Sequence, residues 1–325
     1  MSLEACPQRP SDGGLARRLW RYQRERFPLL AHGVAIAAFA LAALGVAVSF
    51  QARPSPPDLA TVLAAFASVL GFFVLLRVAD EFKDADDDAR YRAHRPVPRG
   101  LVSLAELAAV GVAAAAVQLF AALLLHPPLV WWLLGVWAYL GLMSAEFFAP
   151  ARLKRRPLLY LASHMAILPL IALYASACHW LARGLHPDAA SLAAFLVVAV
   201  GNGLAFEIGR KLRAPGDERI GVETYSRLWG PRRAAGAWTA AVALAAAGAL
   251  ATAAGPGVLP FVAPVAVVAA SLAAALAMSY ARRPTRKSAG RIALASQAVV
   301  LAVLLALGAP ALAETLAGSS LAGPS

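Results

Sequence analysis

Nine apolar stretches of about twenty residues follow one another along this chain, at 29–49, 59–78, 101–125, 129–149, 157–180, 189–209, 233–254, 258–280 and 291–313. Each is long enough to cross the hydrocarbon core of a bilayer as a helix. Pro, Gly or a charge cluster separates every neighbouring pair, and the boundary between the seventh and eighth rests on Gly255-Pro256-Gly257 alone. Only helices and closed barrels satisfy the backbone in hydrocarbon, and twenty-residue apolar runs are not barrel strands. The expected fold is therefore all-α, a polytopic membrane protein of nine transmembrane helices. Alanine-rich runs such as Ala108 to Ala116 and Ala240 to Ala254 let helix backbones approach closely, which favours a compact bundle.

A formal net charge of +12 on 325 residues would suggest nucleic acid in a soluble chain. Here the basic residues lie between the apolar segments, so no nucleic-acid partner is expected. Twenty-seven of the thirty Lys and Arg fall in the amino-terminal tail and in alternate connections, whereas the opposite connections hold Arg53 and Arg183. The positive-inside bias then predicts a cytoplasmic amino terminus, a carboxyl terminus on the far side, and charged cap loops facing the cytoplasm, as in a bacterial inner membrane. The predicted organisation is a basic tail over 1–28, a transmembrane domain over 29–313 with charged loops at 79–100 and 210–232, and a short tail over 314–325. The tail lacks the apolar core of a signal peptide. Its segment Ala16 to Phe27 reads either as an amphipathic helix on the membrane surface or as a tail that sets orientation. Cys6 and Cys178 fall on opposite sides of this topology, so no disulfide or Cys-based metal site is expected.

The densest charge lies in the loop Asp80 to Gly100. It carries Asp80, Glu81, Asp84, Asp86, Asp87 and Asp88, followed by Arg90, Arg92, Arg95 and Arg99. At 100° per residue, Asp80, Asp84 and Asp88 share one helical face, with Asp87 near it and Arg77 one turn before it. Glu81 and Asp86 point elsewhere. Stacked carboxylates repel one another unless a cation is present, and an oxygen-only ligand set suits Mg²⁺ completed by water and substrate phosphate. The alternative is a solvated acidic loop paired with its own arginines.

A second charged connection follows the sixth segment, from Glu207 through Ser226. Glu207, Arg210 and Lys211 share a face if the helix runs on to Pro215, which should stop it. This loop is more basic than acidic and suits an anion, or else it only sets orientation.

Two charged loops, after the second and sixth of nine helices, resemble those of the UbiA superfamily of intramembrane prenyltransferases. The family's Asn-x-x-x-Asp-x-x-x-Asp reads here Asp80-x-x-x-Asp84-x-x-x-Asp88, followed by Arg95-Pro96-Val97-Pro98-Arg99-Gly100. Phe148-Ala149-Pro150 with Lys154 and Arg155 resembles the family's aromatic-Pro-then-Lys-Arg element. The second family motif, Asp-x-x-x-Asp before Gly and Thr, departs. Anchored on Gly221 and Thr224, it places Asp217 on the last Asp and Arg213 where its partner should be.

The resemblance implies transfer of a polyprenyl group from an isoprenoid diphosphate to a hydrophobic acceptor, often aromatic, with Mg²⁺ as cofactor and membrane lipids as surroundings. It implies Asp80, Asp84, Asp88 and Asp217 at the metal, with Asp84, Asp88 and Arg95 as the catalytic set. Arg77, Lys154, Arg155, Glu207, Arg210, Lys211 and Arg213 are then candidates around the diphosphate, the basic ones for its oxygens. Because Arg213 stands in for a carboxylate, three outcomes stay open: one metal with Arg210, Lys211 and Arg213 neutralising the diphosphate, a different donor such as a phosphoribosyl diphosphate with a polyprenyl phosphate as acceptor, or lost catalysis. On the acceptor side, His164 and Asn202 either orient the acceptor or make interhelical hydrogen bonds. Glu146 is either a base or a partner for an Arg. A transporter or lipid-binding protein is the competing class, but its charges should lie near mid-bilayer, and these gather at one face.

Overall fold

The computed structural model describes residues 13–49, 55–219, 221–253 and 258–321, without the side chains of Lys154, 310–312 and 314–321. The expected terminal tails therefore lie partly outside the described residues. Described residues form helices α1 (Leu15–Arg26), α2 (Leu29–Ser49), α3 (Leu59–Lys83), α4 (Ala85–Tyr91), α5 (Leu104–Leu125), α6 (Leu129–Ser144) and α7 (Pro150–Lys154). They continue as α8 (Pro157–Met165), α9 (Ile167–Trp180), α10 (Ala189–Arg210), α11 (Tyr225–Trp229), α12 (Pro231–Thr252), α13 (Leu259–Arg282) and α14 (Arg286–Leu321). The architecture is all-α, with no strand among the described residues.

Every predicted apolar segment coincides with a helix or a helix pair. Among the described residues, eight segments are long and apolar enough to cross a membrane. The fourth segment is shorter: α6 has 16 residues and ends at a turn over Glu146–Phe148. The fifth is broken at Ala166 between α8 and α9. Pro169 explains the break, because it has no N–H to bond the carbonyl of Met165 one turn back. The last helix runs on to Leu321, past the expected end at 313.

Sequence-local signals set the helix starts. Asp58 accepts from the Thr61 amide at 2.7 Å, Asp188 accepts from Ser191 at 2.8 Å, and Ser103 with Glu106 forms a full capping box. Such caps satisfy amides that the helix itself leaves free.

The spanning helices close into a ring. Neighbours run α2, α3, α5, α6, α9, α10, α12, α13, α14 and back to α2, and α2 also packs on α9 while α10 packs on α14. Small residues make the tight crossings. A Cβ on Gly201 would lie 2.5 Å from the Ala245 backbone nitrogen, and one on Gly308 would lie 3.0 Å from that of Ala42. Inside the bundle Gln118 ties three helices, donating to the Ser68 carbonyl at 2.8 Å and accepting from Trp137 Nε1 at 2.9 Å.

One end of the ring collects the charge. There α1 lies against the start of α5 and the end of α3. Tyr22 packs with Leu101, Val102 and Leu107, and Arg18 grips Glu106 through two hydrogen bonds at 3.1 and 2.6 Å. Arg99 grips Glu25 in the same way at 2.9 and 2.6 Å. The tail segment is thus an amphipathic helix docked by one face onto the first charged loop.

Candidate active site at the charged end

The first loop begins where α3 ends. Asp84 leaves helical geometry (φ −91°, ψ 4°), yet its amide still bonds the Asp80 carbonyl at 2.9 Å and its carbonyl accepts from Asp88 at 2.8 Å. The chain bends without losing the ladder, and the three aspartates part company. Asp80 is more than half exposed and, among the described residues, its side chain pairs only with Arg77, at 3.7 Å. Asp84 is half-buried, and its side chain makes no hydrogen bond or ion pair among the described residues. Asp88 is buried and turned onto arginine: Arg95 Nη1 donates to both its oxygens at 2.8 and 2.6 Å, and Arg92 donates at 2.7 Å. Burial raises the Asp88 carboxyl, but those guanidinium hydrogen bonds outweigh it and hold the group below the usual carboxylate range.

Glu81 faces away from the aspartates, as the helical register predicts, and serves a different partner. It is buried and accepts from Arg26 Nε at 2.8 Å and Tyr22 Oη at 3.2 Å, with Arg77 Nη2 at 3.2 Å. Arg77 therefore bridges Asp80 and Glu81, and Arg26 clamps α1 onto the loop.

On the second loop, Glu207, Arg210 and Lys211 do come together. Arg210 Nε donates to Glu207 at 2.7 Å and Lys211 Nζ pairs with its other oxygen at 2.7 Å. Arg210 lies close enough for its charge to act on Asp80. Arg213 turns back onto the Arg210 and Leu212 carbonyls at 2.9 and 2.8 Å. Asp217 is held by Arg286 at the start of α14, and that guanidinium lowers its carboxyl. Sequence reasoning missed Glu218. It takes hydrogen bonds from Thr224 at 2.8 and 2.6 Å and from Ser226 at 2.7 Å, which closes the loop on itself.

The two loops meet at Gly221. Arg92 Nη2 reaches its carbonyl at 3.4 Å. Its φ of +77° suits glycine, and a Cβ there would lie 3.0 Å from the Tyr91 ring.

A third polar group borders the carboxylates. Lys83 Nζ lies 2.6 Å from Tyr160 Oη, 3.1 Å from Glu146 Oε1 and 3.2 Å from His164 Nε2. Glu146 thus finds a lysine where the sequence suggested an arginine, and neither Lys83 nor Tyr160 stood out in sequence. Asn202 is buried in the bundle with neither amide atom paired. Arg155 is exposed and bonds the Ala151 carbonyl at 3.1 Å. The Lys154 side chain lies outside the described residues. A surface cleft of about 350 Å³ is lined by Trp229, Arg232, Arg233 and Pro284, and none of the carboxylates lines it.

Among the described residues no three Asp, Glu, His or Cys side chains converge as a metal cage. The bend at Asp84 and the Asp88 arginine contacts account for this. Mg²⁺ commonly takes only one or two carboxylates and completes its shell with water and phosphate oxygens. Asp80 and Asp84, one turn apart and without a close hydrogen bond to either carboxylate among the described residues, fit that demand.

The fold and sequence agree with known proteins. A family model, the UbiA prenyltransferase family, matches residues 36–297. A UbiA homologue from Aeropyrum pernix K1 in its apo state superimposes with a TM-score of 0.63 at 20% identity, over 86% of this chain and 98% of that one. A structure of digeranylgeranylglyceryl phosphate synthase gives 0.61 at 15% identity, covering 91% and 99%. A UbiA homologue from Archaeoglobus fulgidus, bound to DMAPP and Mg²⁺, gives 0.53 at 16%, covering 86% and 99%. No curated protein sequence matches the chain. With the family model spanning most of the ring and the charged loops of its open end, the chain is an integral membrane protein that belongs to the UbiA prenyltransferase family.

Proposed function

We propose that this protein transfers a polyprenyl group from an isoprenoid diphosphate to a hydrophobic acceptor, with Mg²⁺, at the charged end of the bundle. The observation that carries this reading is the pair Asp80 and Asp84, the first paired only loosely with Arg77 and the second without a side-chain partner among the described residues, at the same charged end as Arg210 and Lys211. Carboxylates so loosely paired suit a cation, and the cations of the second loop suit its anionic ligand. The Archaeoglobus fulgidus homologue bound to DMAPP and Mg²⁺ supports the same donor class.

In this reading Asp80 and Asp84 hold the metal. Bound there, Mg²⁺ would supply charge stabilisation to the departing diphosphate. Arg210 and Lys211 contact the diphosphate oxygens, where guanidinium hydrogen bonds strengthen as negative charge builds on the leaving oxygen. Glu207 orients both side chains. Arg77 holds Asp80 toward the site from α3. Arg95 and Asp88 act as a pair that fixes the loop, and Asp217 with Arg286 anchors the second loop to α14. The assignment of Arg213 is to loop shape through its backbone contacts. The prenyl chain runs into the apolar ring, which keeps water from the allylic carbon, and Asn202 offers its unpaired amide to the acceptor. The charged end faces the cytoplasm, by the basic bias of its loops.

The test is direct. Purified protein in detergent micelles, given Mg²⁺ and labelled geranylgeranyl diphosphate, is expected to bind the donor and to lose that binding when EDTA removes the metal. Donor binding that is absent, or equal with and without Mg²⁺, overturns the reading.

A further inference from the structure

The turn that follows α6 is costly for its sequence. Glu146, Phe147 and Phe148 have φ of 49°, 53° and 55°, and none is glycine. A left-handed conformation costs an L-residue about 1–2 kcal/mol, so three in a row persist only where their surroundings hold them. The Phe147 ring sits edge-on to Tyr139 at 5.6 Å, and Tyr139 in turn donates to the Ser163 carbonyl at 2.8 Å. What this arrangement achieves is the placement of one carboxylate, that of Glu146, at the end of α3.

The Lys83 ammonium has three protons and three partners: Tyr160, Glu146 and His164. His164 Nδ1 lies 2.9 Å from the Tyr160 carbonyl and so donates to it, which leaves Nε2 as the acceptor facing Lys83. Tyr160 stacks on His164 at 3.9 Å. Each of these groups is spent except one. Glu146 is anchored through Oε1 alone, and its second oxygen takes no hydrogen bond from any described residue. Lys83 directly precedes Asp84 at the end of α3, so this cluster sits beside the candidate metal carboxylates.

We infer that Glu146 is the base that removes the acceptor's proton; this rests on the prenyl-transfer reading. The allylic C1–O bond breaks and its electron pair leaves with the diphosphate. The acceptor atom forms the new bond to C1, and the hydrogen it carried passes as a proton to Glu146 Oε2. A weak base suffices, because the acceptor atom becomes acidic only as its bond to C1 forms. The inference narrows the acceptor to one whose nucleophilic atom bears hydrogen at neutral pH, a hydroxyl or an aromatic carbon. A phosphate acceptor, already ionised, would need no such base.

The experiment uses the full chain in detergent with Mg²⁺, labelled geranylgeranyl diphosphate and a total lipid extract of the producing cells as acceptor probe. Glu146→Gln is expected to lower kcat for lipid labelling about 10²-fold while the KM for the donor moves less than about threefold. Glu146→Asp, which keeps a carboxylate, should retain more of the wild-type kcat than Glu146→Gln, and it also serves if the Gln variant does not fold. A wild-type kcat in Glu146→Gln, or a Glu146→Asp variant no faster than Glu146→Gln, overturns the base assignment and leaves prenyl transfer standing. Wild-type protein that releases no diphosphate overturns prenyl transfer and the base with it.

Discussion

Arg95 and Asp88 form a two-point contact, in which one guanidinium nitrogen donates to both carboxylate oxygens at 2.8 and 2.6 Å. Arg92 adds a third bond at 2.7 Å, and Arg26 of α1 stands 4.0 Å away. With its carboxylate buried and so surrounded, Asp88 organises the loop. Because these bonds lower its pKa, its contribution to stability is complete above the unfolded value of about 3.9 and is lost as pH falls through the folded value. Asp88→Asn should therefore destabilise the protein at neutral pH by about 3 kcal/mol. It should also flatten the acid-side decline of the wild type. Thermal unfolding of both proteins from pH 7 down to about pH 3 reads the effect, and equal melting at neutral pH would remove the structural assignment.

Gly221 joins the loops. Its φ of +77° and the Tyr91 ring 3.0 Å from an added Cβ mean that Gly221→Ala strains the contact by about 1–2 kcal/mol. The bundle does not depend on that contact. The expected result is a several-fold rise in donor KM with an unchanged melting temperature.

Two glycines on spanning helices should behave oppositely. Gly201→Ala places a methyl 2.5 Å from the Ala245 backbone, so α10 and α12 must separate, at a cost of about 1–3 kcal/mol. Gly236 on α12 has nothing within 4 Å of a built Cβ. Gly236→Ala should be neutral or stabilising by about 0.5 kcal/mol. Thermal melting in detergent of the two variants, side by side, checks the packing of the ring.

Asp217 is expected to be dispensable for the metal, because Arg286 already holds its carboxylate. Asp217→Asn should leave the Mg²⁺ concentration for half-maximal activity within about twofold. A tenfold rise or more would return Asp217 to the metal site.

Much of the ring is legible in the sequence, because apolar run length is the signal that bilayer thickness imposes. The grouping of Glu207 with Arg210 and Lys211 was legible too, although α10 ends at Arg210 with Lys211 as its cap rather than running on to Pro215, because the three still fall within its last turn. Asp88 was less so. The face shared by Asp80, Asp84 and Asp88 presumes a straight helix, and the bend at Asp84 delivers Asp88 to Arg95, seven residues on. Long-range contacts left even less trace. Lys83 meets Glu146 only because three non-glycine residues turn left-handed, and no residue type there announces it. Glu218 had a faint signal, Thr224 and Ser226 following Gly221, which reads as a hydroxyl pair waiting for an acceptor.

The central claim is that Asp80 and Asp84 hold the metal that assists diphosphate departure. The Asp84 side chain makes no hydrogen bond or ion pair among the described residues, so Asp84→Asn should leave folding intact, which makes it the most direct probe. The measurement is Mg²⁺-dependent release of diphosphate from labelled geranylgeranyl diphosphate by wild type and Asp84→Asn at equal melting temperature. The account predicts a loss on the order of 10²-fold or more in the variant. Wild-type rates in Asp84→Asn, or release that persists in EDTA, would contradict it.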